Sequence, residues 1–582
     1  MNLIPVLLAE AGTPRDGLRA LDYAAVGLYL LVTAGIVVWA SFRQKNTEEF
    51  FLAGRRMPWL AVGMSLMATL LSTNSFLGLP GEVIKNGVTL IYGYLSIPLS
   101  MVVIMGLWVP FFMRLRMTSA YEYLESRFDC RVRLLAGFLF FLLRLGWISV
   151  VVYTASMALS RMIDVDIRWV IASVGIAATI FACVGGIDAV IWNDVLQFFM
   201  LFGGTGVTIG YVWWVTGQGP VGWWHNITSH FPNHTKPIAF SWDLTERITI
   251  TTAIINNFFW EICTHGSDQV VLQRYFSTTS LKAARRSYLV NAISAAAMSL
   301  LLTLCGLALL SFYLQHADFL PADLSIKSKS DELLPYFFAH QLPVGFGGLI
   351  LAGFLCDAMQ TLESGVNSIT AVATRDVFER LFPGGRKYLS SLVLARIVTV
   401  GMGLLVTGIA FGVEWFTRSS SINIIELMPK AFNLILGPLA SLFFIGMFLP
   451  RCRGRSAILG GVTGLLVAIV WSWWPQLCLL MAENLPKGET LPLGDPKAVL
   501  EKTSEVVSHF TFQNLTHGGY WLELAKIKPT FTLTIALPCL TSLSVAGIWG
   551  LLFDGGDHPG RQYTWLAVMR RPAEPAAATT DG

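Results

Sequence analysis

The sequence predicts an all-α integral membrane protein of about thirteen transmembrane helices. Three observations predict it. Apolar residues fill 54% of the 582 positions and charged residues only 13%, where a soluble chain carries about a quarter charged residues. Nearly uncharged runs of about 20 residues, long enough to cross a bilayer as a helix, recur from end to end. Two of these runs, five spans apart, are interrupted by small and polar residues, as inverted repeats of five helices require. The mean hydropathy of +0.59 agrees with the first point.

The runs lie at 20–42, 58–81, 89–113, 134–162, 167–184, 188–216, 247–271, 287–315, 345–373, 389–413, 423–449, 456–474 and 530–553. An odd number puts the termini on opposite sides. The net charge of +4 says little, but the placement of basic residues says more. With the N-terminus outside, the inside loops hold Arg43, Lys45, Arg55 and Arg56, then Arg114, Arg116, Arg127, Arg131 and Arg133. They continue with Arg274, Lys282, Arg285 and Arg286, then Arg375, Arg380, Arg386 and Lys387, then Arg451, Arg453 and Arg455. Arg561, Arg570 and Arg571 follow in the tail. Every inside loop carries the excess, so the expected topology is N-out, C-in.

Two outside segments, 217–246 and 475–529, are long enough for short surface helices, as a lid or as a solvated cap. Asn226, Asn233 and Asn514 open glycosylation sequons there, which chance also produces. The first residues, MNLIPVLLAEAG, lack the basic start of a cleaved signal peptide, and the tail after Pro572 has a disordered composition. Eight cysteines sit mostly within apolar runs, with no zinc or disulfide spacing. Without a Walker A loop or a Rossmann glycine fingerprint, ATP-driven pumping and dinucleotide chemistry have no support. Enzymatic chemistry lacks an HExxH or Ser/His nucleophile pattern.

The run 58–81, PWLAVGMSLMATLLSTNSFLGLPG, is broken by Ser72, Thr73, Asn74, Ser75, Gly78, Pro80 and Gly81, among others. A spanning helix interrupted this way marks an unwound segment whose free carbonyls bind a cation. The run 247–271 has the same character, with Glu261, His265 and Asp268 in an apolar setting. Within 345–373, Asp357, Gln360, Thr361, Ser364 and Ser368 fall on one helical face, with Glu363 and Asn367 beside it. Hydrocarbon penalises each uncompensated polar group, so this stripe faces protein, water or a ligand. It is either interhelical glue or the wall of an ion or solute path. Arg144 lies about ten apolar residues inside its run, too deep to snorkel, and its guanidinium fork fits a carboxylate. That carboxylate belongs to a solute or to an internal acid such as Glu261 or Asp357. Glu426 and Lys430 form an i,i+4 pair that neutralises itself near the outer mouth in the simpler reading.

FFLAGRRMPWLAVGMSLMATLLS, GGIDAVIWNDVLQ, DQVVLQRYF, LAGFLCDAMQTLESGVNSITAVATRDVFERL and LGPLASLFFIGMF together resemble the sodium/solute symporter family, in register from about residue 22 to residue 470. The resemblance implies the fold with two inverted five-helix repeats first seen in leucine transporters, with 58–81 as first core helix and 423–449 as tenth. It implies one transporter domain over 20–553, with core repeats at about 58–216 and 247–449 and extra helices at 20–42, 456–474 and 530–553. A short outside segment (1–19) precedes it and a cytoplasmic tail (554–582) follows.

The family's shared sodium site maps onto backbone carbonyls of Ala68 and Leu71, a carbonyl at Asp357, and hydroxyl positions at Gln360 and Thr361. Thr361 fits. Gln360 stands where the family has serine, and Asp357 where it has alanine. Three readings follow: a remodelled sodium site, a proton carried by Asp357, or a site filled by Gln360 donating to Asp357 in an uncoupled carrier or sensor. Asp194, in WNDVLQ, matches an acid on the inner sodium path; the alternative is an ion pair with a cytoplasm-facing arginine. For the solute, the resemblance points to Asn74, Ser75, Arg144, Glu261, His265 and Lys430. Arg144 is similar to the residue that binds the substrate carboxylate in the family's sialic-acid carriers. Thr264 and His265 replace the usual aromatic inner gate, and a core histidine packed by hydrogen bonds is the plainer role for His265.

The function implied is cation-coupled symport, with Na+ as coupling ion, of a small polar organic solute bearing a carboxylate, by alternating access. The partners are that solute and the lipid bilayer of the plasma membrane. No enzyme activity, organic cofactor or nucleic acid is implied.

Overall fold

The computed structural model describes residues 17–42, 52–115, 117, 119–184, 187–243, 245–320, 324, 326, 329–372, 391–418, 427, 432–483, 529–555 and 558–571. Among them there is no strand, only an isolated bridge between Met57 and Thr278. The helices are α1 (Ala20–Ser41), α2 (Trp59–Leu70), α3 (Thr73–Asn86), α4 (Thr89–Leu115), α5 (Tyr121–Arg127), α6 (Cys130–Ile163), α7 (Ile167–Val184), α8 (Ile187–Thr216) and α9 (Pro220–His230). Then come α10 (Ile250–Ser267), α11 (Gln269–Phe276), α12 (Leu281–Gln315), α13 (Ser330–His340), α14 (Phe346–Val372), α15 (Ser391–Arg418) and α16 (Leu434–Phe448). α17 (Gly454–Ser472), α18 (Trp474–Glu483), α19 (Ala536–Leu552) and α20 (Trp565–Arg570) complete the order.

By length and apolarity, 9 described helices are able to cross a membrane, and the bent pair α2 and α3 makes up to 10. α16 and the Ile167–Ile180 part of α7 are shorter apolar helices. Each of the predicted runs contains described helix, but length and apolarity alone do not reach the expected count. Leu28, Leu31, Trp169, Ile180 and Phe199 are among the large side chains left exposed, as lipid-facing surfaces require.

Both interrupted runs are broken helices. α2 and α3 meet at 57°, with Leu71 (φ −100°, ψ 68°) and Ser72 (φ −73°, ψ 178°) outside helical geometry. The second break falls at Asp268 (φ −80°, ψ 117°), which ends α10 and caps α11 by accepting from the Val270 N–H. α12 lies along both halves of the first broken helix. A Cβ at Gly63 would sit 2.6 Å from Val290 Cβ, and one at Gly306 2.8 Å from Val83 Cβ, so small residues permit the close approach. α14 packs against α1, α6, α7 and α8 and is the most buried of the long apolar helices described.

Several boundaries differ from those expected. The first core helix runs on to Asn86 and the sixth to Phe276, past the predicted ends at 81 and 271. Arg274 therefore does not lie in an inside loop; it is buried within the bundle at 1% exposure. Likewise Arg131 and Arg133 belong to the first turn of α6, and Lys282, Arg285 and Arg286 to the first two turns of α12. Polar residues at a helix end break hydropathy before they break hydrogen bonding, which shortens a run read from composition. In the outside segment 217–246, α9 is followed by a short 3₁₀ turn, Pro232–Thr235. Lys430 and Glu426, most of 475–529, and the termini lie outside the described residues.

Candidate functional site

The first break releases acceptors on one side and donors on the other. The last backbone bond of α2 runs from Leu71 N–H to the Met67 carbonyl. Beyond it, the carbonyls of Ala68 and Leu71 meet no donor among the described residues. The first donors of α3 face Asp357 of α14. The Asp357 carboxylate accepts from the Thr73 backbone N–H at 2.5 Å, from the Thr73 hydroxyl, and from the Gln197 amide of α8. A carboxylate at a helix N-terminus is favoured both by the orphan N–H groups and by the helix dipole. Ser72, the local capping residue, leaves its hydroxyl unbonded, so the cap comes from another helix.

The polar stripe of α14 faces both broken helices. Ser364 accepts from Arg274 at 3.3 Å and Ser368 donates to Gln273 at 3.1 Å, both on α11. To that extent the stripe is interhelical glue. Gln360 is the exception: it is buried, and neither amide atom has a partner among the described residues. It does not donate to Asp357, so the reading in which Gln360 fills the site does not hold in this structure; Thr73 and Gln197 take that place. Thr361, one residue on, makes no side-chain hydrogen bond among the described residues. The Glu363 carboxyl is buried beside this face, with Oε1 unpartnered.

At the second break, Arg144 of α6 forms an ion pair with Asp268, and both side chains are buried. Arg144 Nε has no partner among the described residues, so its guanidinium is only partly satisfied. Glu261 and His265 come together one turn apart, with His265 Nε2 3.4 Å from the Glu261 carboxylate. His265 Nδ1 is 2.6 Å from the Tyr275 hydroxyl, and Tyr288 donates to Glu261 at 3.3 Å. His265 is thus a fully buried, hydrogen-bonded residue tying α10, α11 and α12 together. Asn74, in the first turn of α3, is buried with both amide atoms unpartnered, as is the Thr264 hydroxyl of α10. Ser75 beside Asn74 is half-buried.

A third cluster joins the two broken helices on their other halves. Asp194 of α8 accepts from Ser65 at 2.5 Å and Thr69 at 3.2 Å, both on α2, and pairs with Arg274 of α11 at 2.9 Å. Arg274 also donates to Ser65 at 2.8 Å and Thr69 at 2.6 Å. Asp194 thus sits in a buried ion pair, with an arginine inside the bundle in place of the loop arginine considered from sequence.

Four residues were missed as site members: Thr73, Gln197, Arg274 and, as a partner of Arg144, Asp268. The signal for Gln197 was present, since it follows Asp194 by three residues on one face of α8. Arg274 was concealed by its basic character, which reads as a loop residue.

Two apolar helices broken in mid-course, bridged by acids on the unbroken helices packed against them, define a secondary transporter. The family profile of the sodium:solute symporter family matches residues 50–464, and the chain belongs to that family. It is 30% identical over 452 residues to the sodium/sialic acid symporter NanT of Aliivibrio fischeri, covering 78% of this chain and 87% of the relative. It is 29% identical over 464 residues to the human sodium/iodide cotransporter, covering 78% and 70%. A solved Na+-coupled sialic acid symporter, substrate-bound and outward-open, superposes with a TM-score of 0.73 at 25% identity, covering 92% of this chain and 98% of that one. The protein is accordingly a multi-pass membrane transporter with the inverted-repeat fold, not an enzyme.

Proposed function

We propose that this protein couples inward Na+ movement to the uptake of a small, polar, carboxylate-bearing solute across the plasma membrane, with its N-terminus outside and C-terminus inside. The observation that carries the reading is the first break. The freed carbonyls of Ala68 and Leu71 lie on one half of the broken helix, and the Asp357 carboxylate holds the other half at Thr73. A sodium ion wants about five or six hard oxygens, by analogy with other oxygen-bound cations. Asp357, Thr361, Gln360 and the two carbonyls supply that donor set, and Asp194 lies on the inner side of the path by which the ion leaves. The partly satisfied guanidinium of Arg144 is the group offered to the solute carboxylate, with Asn74, Ser75 and Lys430 as further contacts. Glu261 and His265 support that pocket from the packed side. The names of the sialic-acid relatives agree with such a solute, and N-acetylneuraminate is the first compound to test.

The experiment is a thermal-stability titration with Na+ at constant ionic strength, choline replacing it, for wild type and Thr361→Ala. A saturable stabilisation lost in Thr361→Ala supports the reading. No shift at any pH removes sodium from it. A second reading is a proton-coupled or uncoupled carrier: the three hydrogen bonds that Asp357 accepts from Thr73 and Gln197 occupy the carboxylate that would otherwise hold the ion, and its burial at 2% exposure favours carrying a proton over a bare charge. Proton-driven uptake abolished in Asp357→Asn, without sodium dependence, would select it.

A further inference from the structure

Near the end of α4 that carries Leu115, three separate segments bring basic side chains to one rim of the bundle. α4 supplies Arg114, the first two turns of α12 supply Lys282, Arg285 and Arg286, and the chain after α19 supplies Arg570 and Arg571. All but the half-buried Arg285 are exposed. Among the described residues, none of the six takes part in a salt bridge. Their hydrogen bonds go to neutral carbonyls instead: Arg114 to Met569 at 2.6 Å, Arg285 to Met105 at 2.9 Å and Arg571 to Gln562 at 2.8 Å. Two buried arginines within the bundle, Arg144 and Arg274, by contrast each have a carboxylate. Among the described residues, no carboxylate pairs with this rim.

The strap that carries Arg570 and Arg571 is fastened at this rim. Trp565 donates through Nε1 to the Leu107 carbonyl of α4 at 3.1 Å, and Val568 is buried beneath it. Leu566 points the other way and is 61% exposed. Arg286 lies over the ring of Trp59, and Arg571 over that of Tyr563. Aromatic rings, an outward leucine and unpaired arginines at the end of membrane-spanning helices are the composition of a segment lying at the lipid headgroups.

We propose that this rim and its strap form a binding site for the phosphate headgroup of an anionic phospholipid, which holds the strap against α4 and α12. The guanidinium groups provide paired donors to phosphate oxygens, and Leu566 enters the acyl boundary. The site is separate from the ion and solute sites and does not depend on which solute is carried.

The test is the melting temperature of the purified full chain in detergent with added phosphatidylglycerol or with phosphatidylcholine of the same acyl chains. Wild type is expected to gain several degrees from phosphatidylglycerol and little from phosphatidylcholine. Arg114→Gln/Arg570→Gln/Arg571→Gln should bind phosphatidylglycerol on the order of tenfold or more weakly. Arg570→Gln alone, which breaks no hydrogen bond of the described fold, should lose part of the shift and serves if the triple variant does not fold. Equal shifts from both lipids, or an undiminished phosphatidylglycerol shift in Arg570→Gln, would overturn the proposal. So would glycerol 1-phosphate reproducing the whole shift, since the site would then take a soluble phosphate and not a lipid.

Discussion

The Asp357 carboxylate accepts the backbone N–H of Thr73 at 2.5 Å, so that an acid on α14 caps the second half of a helix 284 positions earlier in the chain. Any movement of α3 relative to α14 must break or carry this bond. Under the proposed alternating access, rocking of one set of helices against another would therefore break or carry this bond.

Removing the charge at this position separates its roles. Asp357→Asn keeps an acceptor for Thr73 but loses the ionic ligand. Sodium stabilisation in a melting assay should vanish, and the melting temperature without sodium should fall as well, because Thr73 and Gln197 lose a charged acceptor and one of them meets an amide NH2 instead.

Thr73→Val leaves the backbone donor and deletes the hydroxyl. A hydrogen bond to a charged group contributes about 1.5–3 kcal/mol, so the variant should melt lower, with a smaller loss when combined with Asp357→Asn. Independent, additive losses would mean that the two side chains do not interact.

The Asp194 and Arg274 pair is nearly inaccessible on both sides. Removing one partner of such a pair costs about 3–5 kcal/mol because the other charge remains buried. Asp194→Asn and Arg274→Gln should each be strongly destabilised, and the double variant less so than their sum. Differential scanning fluorimetry of the four proteins measures the coupling.

At the break of the sixth core helix, Arg144 already holds Asp268. Arg144→Lys keeps the charge but loses the planar fork. Uptake of a carboxylate solute into proteoliposomes should fall at least tenfold, mainly through KM, while a neutral analogue is carried no better. An unchanged KM would take Arg144 out of the solute site.

One pH effect belongs to the segment between α9 and α10. His234 lies 3.1 Å through Nε2 from the Ile84 carbonyl near the end of α3, and burial pushes its pKa below the ordinary histidine value. A depressed histidine pKa stabilises the fold above the unfolded-state value near 6.5, and that stability is lost as the pH falls through and below it. Melting temperature should drop on acidification below about pH 6.5, and His234→Gln should flatten that part of the profile.

Much of this molecule was legible in local patterns. Ser72 to Gly81 announced an interruption, and the chain is broken at Leu71 and Ser72, although Thr73 to Gly81 run on as helix in α3. The spacing of Asp357, Ser364 and Ser368 announced an inward face because helical periodicity is set within a few residues. The far end of each broken helix was less legible: Arg274 reads as a loop cation, and only packing of α11 against α2, α8 and α14 gives it somewhere to be buried.

What the sequence by itself determined is where helices run, where they break, which faces are polar, and which family the chain resembles. What only the tertiary structure decided is who pairs with whom. Arg144 chose Asp268, 124 positions away, over Glu261 or Asp357. Asp194 chose Arg274, 80 positions away, and Asp357 chose Thr73 and Gln197 over Gln360. The physical reason is that hydropathy and helix periodicity are fixed by neighbours in the chain. The partner of a buried charge is fixed by which helices the bundle brings within hydrogen-bond reach, and only the folded bundle sets that distance.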